Sequence, residues 1–370
     1  MTTMETQVSP GLWALAWRRL RADKTAMFSM TIVLLFLLLL VLSSIGLVAA
    51  DWDAEVGVNY APPGFVGAQS DNDRIGHAAA ANTEVLPENP LDPLKDVIRQ
   101  LRAEAGTPPV PVGDDYGIAD PIGREMNEIR AAQAKSSGPA LVTRRETLPF
   151  GADKWGHDII KKTIKGSETS IIVGLVAALL ATLLGTVFGA VSGYFGSVVD
   201  DFFNWFYSIF TSVPYMLLIM AVGVVLQHKG VLTIVLILGL TGWTGTYRLI
   251  RAEYMKHKTR EYVLAADAIG ASSWRKMFAH IFPNVSHVAL VQMSLLSVGF
   301  IKSEVILSFL GFGVPVGVVS WGSMLNEAKD ELILGKWWQL TAATVAMAVL
   351  VTAFSLFTDA LRDALDPKLR

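Results

Sequence analysis

Long apolar segments recur along this sequence, and most of them contain no charged residue. The clearest is residues 27–50, whose centre reads IVLLFLLLLVL. At about 1.5 Å per helical residue it reaches roughly 36 Å, which exceeds the hydrocarbon core of a bilayer, about 30 Å. We therefore predict a membrane-spanning helix here.

Five further segments have the length and hydropathy of spans. The predicted spans are residues 27–50, 171–195, 202–227, 231–247, 281–311 and 337–358. Only 281–311 carries ionisable side chains. The chain is 52% apolar and 17% charged, against about 25% charged in soluble proteins. This composition excludes a soluble enzyme, a fibrous chain and a disordered chain.

A cleaved signal peptide is the alternative for the first segment. The basic residues before it, Arg18, Arg19, Arg21 and Lys24, fit either interpretation. The run is longer than a signal core of about 7–15 residues, and no clear A-x-A site ends it. We therefore expect an uncleaved first span.

Small residues within the spans predict close helix packing. Gly174, Gly185, Gly189 and Gly193 all fall in the second span, and glycine lets membrane helices approach closely. Pro214 lies inside the third span and is expected to kink it, because proline removes a backbone hydrogen bond.

The basic residues of the short loops predict the orientation. With a cytoplasmic N-terminus, the short cytoplasmic segments carry 14 Lys and Arg and the short outer segments carry three. This asymmetry agrees with the positive-inside rule. Both termini are then cytoplasmic, and the polar block 51–168, which holds half of the charged residues, lies outside. Lys161, Lys162 and Lys165 break the rule locally.

Composition and motifs exclude several chemistries. The sequence has no cysteine, which excludes disulfides and thiolate catalysis. Its net charge of −2 gives no reason to expect nucleic acid as a partner. P-loop, H-E-x-x-H and G-x-S-x-G motifs do not occur. If the protein moves a solute uphill, the energy therefore comes from another chain or from an ion gradient.

The outer block contains two helical patterns, over residues 92–106 and 120–139. It has few large apolar residues for an independent core. Two interpretations stay open: a loosely packed cap on the membrane bundle, and a docking surface for an outside partner.

The most informative segment is the predicted cytoplasmic stretch 260–284, REYVLAADAIGASSWRKMFAHIFPN. An Ala-rich helical run ends at Gly270, and a second amphipathic run leads through Pro283 into the fifth span. Small residues at the bend let such a helix pair present a compact knob to a groove on another protein. An amphipathic linker lying on the lipid surface is the alternative.

This segment resembles the EAA loop of ABC-transporter permeases of the dipeptide and oligopeptide class, approximately Y-V-E-A-A-R-A-L-G-A-S followed by R-H-I-L-P-N. Further motifs of the class match in order from about residue 148 onward. They are LPFGADKWGHDIIKKTIKGSETS, GYFGSVVD, LSFLGFGVP, SWG and LRDALDPKLR. Leu264 replaces the family's leading Glu, and Asp267 replaces an Arg. The pairing with an ATPase is therefore expected to differ in detail.

The resemblance implies an all-α integral membrane protein with six transmembrane helices in the ABC importer permease arrangement and an extracytoplasmic insertion between helices 1 and 2. The implied organisation is a cytoplasmic N-terminal segment 1–26, helix 1 at 27–50, the insertion and linker 51–168, a permease core 169–360 with the cytoplasmic coupling loop 248–284, and a cytoplasmic tail 361–370.

The resemblance also implies a transport subunit that is not an enzyme and binds no cofactor or metal itself. Its partners would be a homologous second permease, two cytoplasmic ATP-binding subunits that carry ATP and Mg, and an extracytoplasmic solute-binding protein, in a bacterial cytoplasmic (inner) membrane. The expected solute is a peptide or a peptide-like molecule. The residues expected to couple to the ATPase are Tyr262, Ala265, Ala266, Asp267, Gly270, Ala271, Ser272, His280 and Pro283.

Lys302, Glu304 and Pro214 are the candidate residues of the translocation pathway. By the resemblance, Glu304 matches a Glu of the family, and Lys302 stands where the family is usually apolar. A central lysine costs about 2.5–3.5 kcal/mol on insertion scales, so Lys302 is not expected to face lipid unpaired. Two residues apart, Lys302 and Glu304 do not face each other on a straight helix. Either both lie near the outer end, snorkelling or paired with a neighbouring helix, or Glu304 lines or gates the pathway.

Two rival functions come from other classes. An ion-coupled secondary transporter would need inverted repeats and several buried carboxylates near the midplane, where Glu304 is the one candidate. A polytopic receptor using the outer insertion would not need the Ala–Gly cytoplasmic loop.

Overall fold

The structure is a computed structural model that describes residues 12–67, 144–226, 230–315 and 317–365. The chain divides into two compact units, Met1–Val66 with Glu146–Arg370, and Gly67–Arg145. The helical patterns predicted at 92–106 and 120–139 lie outside the described residues, so their structure stays a prediction.

The regular elements of the described residues are helices, and extended backbone pairs there only in isolated bridges, such as Glu55 with His157. In chain order the helices are α1 (Leu12–Ala22), α2 (Lys24–Ser44), α3 (Ile159–Phe195), α4 (Ser197–Thr211), α5 (Tyr215–Leu226), α6 (Val231–Thr241), α7 (Thr244–Lys258), α8 (Glu261–Ala268), α9 (Ser273–Arg275), a π-helical turn (Lys276–Ile281), α10 (Phe282–Phe309), α11 (Trp321–Ile333) and α12 (Trp338–Leu365).

Among the described residues, five helical stretches are long and apolar enough to cross a membrane: Lys24–Ser44, Ile159–Phe195, Val231–Lys258, Ser273–Phe309 and Trp338–Leu365. The third predicted span, residues 202–227, is interrupted, because α4 and α5 meet at an angle of 87°. The kink predicted at Pro214 is confirmed in position, and it is a break between two helices. Pro214 lies in the break, where its ring and missing N–H oppose helix continuation.

Capping aspartates set where the first two spans begin. Asp23 Oδ1 accepts hydrogen bonds from the backbone N–H of Thr25 at 2.8 Å and of Ala26 at 3.3 Å. Asp158 Oδ1 accepts from Ile160 N at 2.8 Å. A side-chain carboxylate satisfies the free donors of a first helical turn. The helix of the second span consequently starts at Ile159, well before the apolar run at 171.

The centre of the bundle is α3, and its glycines bring neighbouring helices into backbone contact. A Cβ atom added at Gly185 would lie 2.7 Å from Trp243 O on the α7 side, and one added at Gly193 would lie 2.6 Å from Arg251 O. At Gly174 it would lie 2.4 Å from Ile301 Cγ1 of α10. The close packing predicted from these glycines is confirmed.

A buried polar cluster joins the start of α3 to α11 and α12. Lys162, 3% exposed, donates from Nζ to Asp153 Oδ2 and to Glu327 Oε2, each at 2.6 Å. Gln339 of α12 lies 3.4 Å from the same ammonium. Glu331 is 1% exposed, and neither carboxylate oxygen has a hydrogen-bond partner among the described residues. Lys162, one of the three lysines that break the positive-inside rule, is therefore a buried cation paired within the chain.

Candidate functional site

The segment between α7 and α10 folds as a helix–turn–helix knob. Helix α8 (Glu261–Ala268) runs into a turn, and α9 with the π-helical turn Lys276–Ile281 leads back to α10. π-Helical turns are rare and occur frequently at functional sites. The predicted coupling loop 248–284 therefore has a defined shape.

The backbone of the turn requires glycine at residue 270. Gly270 has φ +80°, a left-handed conformation that side-chain-bearing residues rarely adopt. Its N–H donates to Asp267 O at 2.9 Å, and the N–H of Ala271 donates to Ala266 O at 3.0 Å. These bonds close the C-terminus of α8. A Cβ at Gly270 would meet no atom within 4 Å, so local conformation accounts for this glycine without any close approach.

One face of the knob packs against its own chain. Val263 and Ala266 are 3% and 4% exposed. Val263 belongs to a cluster with Ala190, Tyr194, Ile250, Tyr254, Met277, Ile281, Val285 and Ala289. The Tyr254 hydroxyl donates to Met277 O at 3.1 Å across this cluster. Ala266, one of the predicted coupling residues, is thus buried within its own chain, and its coupling role stays a prediction.

The opposite face is apolar and open. Ile269 is 82% exposed, Trp274 60% and Leu264 57%. The Trp274 ring stacks on Phe278 with centroids 5.6 Å apart and planes 7° apart. Sequence reasoning did not single out Ile269 or Trp274. The available signal was helical spacing, which puts Leu264 on a different face from Val263 and Ala266.

The other predicted coupling residues lie on or beside this knob. Tyr262, Ala265, Asp267, Ser272 and Pro283 are exposed, and Ala271 and His280 are half-buried.

Polar contacts fix part of this set internally. Asp267 forms an ion pair with Lys276. The Tyr262 hydroxyl lies 2.8 Å from His257 Nδ1. Asp267 is therefore already paired within the chain. The family's Arg at this position is expected to face the ATPase instead. The coupling role of these residues stays a prediction.

Two anchors connect the knob to the bundle. Helix α7 packs on the glycines of α3, and Arg251 of α7 makes a bidentate pair with Asp200 of α4, at 2.6 Å from Nε and 2.6 Å from the second guanidinium nitrogen. Ser192 of α3 donates to the same carboxylate at 2.5 Å. Such paired geometry restricts relative motion. Because α8 follows α7 and the π-helical turn continues into α10, a force on the knob would act on both of these helices.

The three candidate pathway residues lie apart. Glu304 is fully buried and accepts hydrogen bonds from Ser170 Oγ and Ser308 Oγ, each at 2.7 Å. Lys302 is exposed and has no hydrogen-bond or ion-pair partner among the described residues. The prediction that these two side chains do not face each other is confirmed. Pro214 is exposed at the break between α4 and α5.

The described residues offer no metal site, since no group of three or more His, Cys, Asp or Glu side chains in them could hold an ion.

Comparison with known proteins agrees with the helical architecture and the loop. Residues 185–370 match the family described as binding-protein-dependent transport system inner membrane component, and residues 11–63 match the N-terminal TM domain of oligopeptide transport permease C.

Individual relatives carry the same kind of name. The dipeptide transport system permease protein DppC of Bacillus subtilis (strain 168) is 36% identical over 221 residues, covering 60% of this chain and 69% of that protein. The oligopeptide transport system permease protein OppC of the same strain is 38% identical, with 60% and 72% covered. OppC of Escherichia coli (strain K12) is 36% identical, again with 60% and 72% covered. These matches do not favour an ion-driven transporter or a receptor.

Proposed function

Because this chain belongs to the family of binding-protein-dependent transport system inner membrane components, a family of ABC-transporter permease subunits and not of enzymes, we propose that its solute is a peptide or a peptide-like molecule. The relatives named above are dipeptide and oligopeptide permeases. The chain would form half of the membrane pathway.

The proposed assembly contains a second, homologous permease, two cytoplasmic ATPases that bind ATP and Mg, and an extracytoplasmic solute-binding protein. The chain is a multi-pass membrane protein, and the excess of Lys and Arg in the predicted cytoplasmic loops supports cytoplasmic termini and an inner-membrane location. With the bent pair α4–α5 counted as one span, six spans follow the importer permease arrangement.

The open apolar face of the knob is the observation that carries the coupling proposal. Exposed apolar surface marks contact sites, and Ile269 and Trp274 are both largely exposed on the predicted cytoplasmic side. ATP-driven closure of the ATPases would move the knob. Helices α7 and α10, which flank the knob, would carry this motion into the bundle as a rigid-body change between outward and inward access.

Substitution of Ile269 tests this contact without disturbing the fold. Ile269 is 82% exposed and has φ −89°, so Ile269→Glu places a charge in the contact without backbone strain. A central interface residue commonly contributes 2 kcal/mol or more. We therefore expect at least a tenfold loss of ATPase co-purified with the solubilised chain.

Ile333→Glu is the matched control, because Ile333 is 84% exposed in α11, outside the knob. It should retain the ATPase. Equal retention by both variants would contradict the knob as the contact. Failure of the wild-type chain to bring down any ATPase would contradict the importer assembly itself.

A further inference from the structure

One face of α10 is open along its length and carries a single charge. Leu295, Lys302, Ile306 and Phe309 are all exposed. Together with Gly299 they recur every three to four residues, which places them on one side of a helix. A Cβ at Gly299 would meet no atom within 4 Å, so none of the described residues covers the middle of the face.

Lys302 is the unusual member of this face. Ionisable side chains in membrane helices face a bundle interior, a partner or a water-filled cavity, because lipid does not solvate them. Glu304 on the same helix follows that rule by pointing inward to Ser170. Lys302 points outward and lacks a partner in the part of the chain that is described.

A second cation extends the positive charge toward the C-terminal end of α10. The Nζ atom of Lys329, an exposed residue of α11, lies 4.6 Å from the centroid of the Phe309 ring. Phe309 is two helical turns beyond Lys302, roughly 10 Å along the axis. The exposed face therefore carries an ammonium at its middle and another near its end.

We propose that this face of α10 lines the translocation pathway and that Lys302 binds a carboxylate of the solute during transit. This inference rests on the proposed function as a peptide permease. A peptide with a free C-terminus carries such a group, and an ammonium–carboxylate hydrogen bond is strengthened where water is restricted. An exposed ammonium holds a carboxylate weakly, which transit requires.

The test is ATP-driven uptake into proteoliposomes that contain the complete importer. One tetrapeptide is offered with a free C-terminal carboxylate and as its C-terminal amide, to wild type, Lys302→Gln and Lys302→Arg. Because the binding protein also selects peptides, the readout is the variant-to-wild-type ratio of uptake for each peptide. We expect Lys302→Gln to lower the ratio about tenfold for the acid and to leave the amide unchanged, since bonds to charged groups carry this order of free energy. Lys302→Arg should restore uptake of the acid.

Each other outcome has a definite meaning. Lys161→Gln, at an exposed lysine paired with Asp51, is the control and should change neither ratio. Equal loss for acid and amide would show a structural role and overturn the inference. An effect that follows the anionic lipid content of the vesicles would show a lipid contact and also overturn it. If wild type takes up neither peptide with ATP, the peptide assignment itself fails.

Discussion

Two adjacent lysines, Lys161 and Lys162, experience opposite environments, and their substitution by methionine separates buried from exposed ion pairing. Lys162 is 3% exposed and pairs with Asp153, which is 0% exposed. Lys161 is 36% exposed and pairs with Asp51, which is 61% exposed, at the same 2.6 Å. Distance is therefore matched, and burial is what differs.

The expected magnitudes follow from that difference. Removing one partner of a buried pair costs about 3–5 kcal/mol because the other charge stays buried. Asp153 keeps hydrogen bonds from Trp155 N and from His157. We therefore expect the lower end, about 3 kcal/mol, for Lys162→Met. Exposed pairs contribute about 0–1 kcal/mol, which is the range expected for Lys161→Met.

The pH dependence adds a second check. Burial opposes ionisation of Asp153, but the Lys162 ammonium and its hydrogen bond hold the pKa of Asp153 below its usual value. A depressed carboxylate pKa contributes stability above the unfolded pKa, about 3.9, and loses it as the pH falls through the folded value. The difference between wild type and Lys162→Met should accordingly be full at pH 7 and shrink in acid below about pH 4.

Equilibrium unfolding in mixed detergent–SDS micelles, followed by tryptophan fluorescence, measures both variants. Asp153→Asn combined with Lys162→Met should recover part of the loss, since it leaves no buried charge unpaired at that position. A Lys162→Met variant within 1 kcal/mol of Lys161→Met would refute the reasoning.

Three further predictions concern burial, packing and backbone conformation. Burial raises the pKa of Glu331 from 4.5 to about 7. The free energy of unfolding therefore falls as the pH rises between those two values. Glu331→Gln should stabilise the protein at pH 8 by roughly 3 kcal/mol, measured in a pH series of unfolding. Gly189→Ala would put a Cβ 2.7 Å from Tyr247 O and should lower the free energy of unfolding by about 1–3 kcal/mol, whereas Gly223→Ala, whose Cβ would meet nothing closer than 3.7 Å, should be neutral or stabilising. Gly270→Val should loosen the knob to limited proteolysis more than Gly270→Asn does, because asparagine tolerates positive φ.

The membrane helices were predictable because uncharged apolar length is a local property of the sequence. The ends of the helices were less predictable, because capping by Asp158 starts the helix of the second span at Ile159, outside the apolar run. The third span shows the limit more clearly. Composition gives the same hydropathy to a kinked helix and to two helices bent by 87°.

The position of the coupling loop was predictable from the sequence, but which of its side chains are buried and which are exposed was not. Its small residues indicated a compact turn, and Gly270 does occupy one. Ala265 and Ala266 look alike in the sequence, yet Ala266 is buried and Ala265 exposed. The side that faces out depends on the cluster around Tyr254 and Met277, which is assembled from segments distant in the chain. Ile269 and Trp274 therefore emerged only from the structure.

The charges of the fifth span illustrate why resemblance and role can separate. Glu304 fits the family pattern and drew the pathway prediction, but two serine hydroxyls hold it inside this chain. Direct lining by Glu304 would require α10 to separate from α3, against which it packs through Gly174. Lys302, the departure from the family, faces outward. A charge that pairs with none of the described residues costs free energy in the bilayer, so its counterpart is to be sought in what passes along or binds that face.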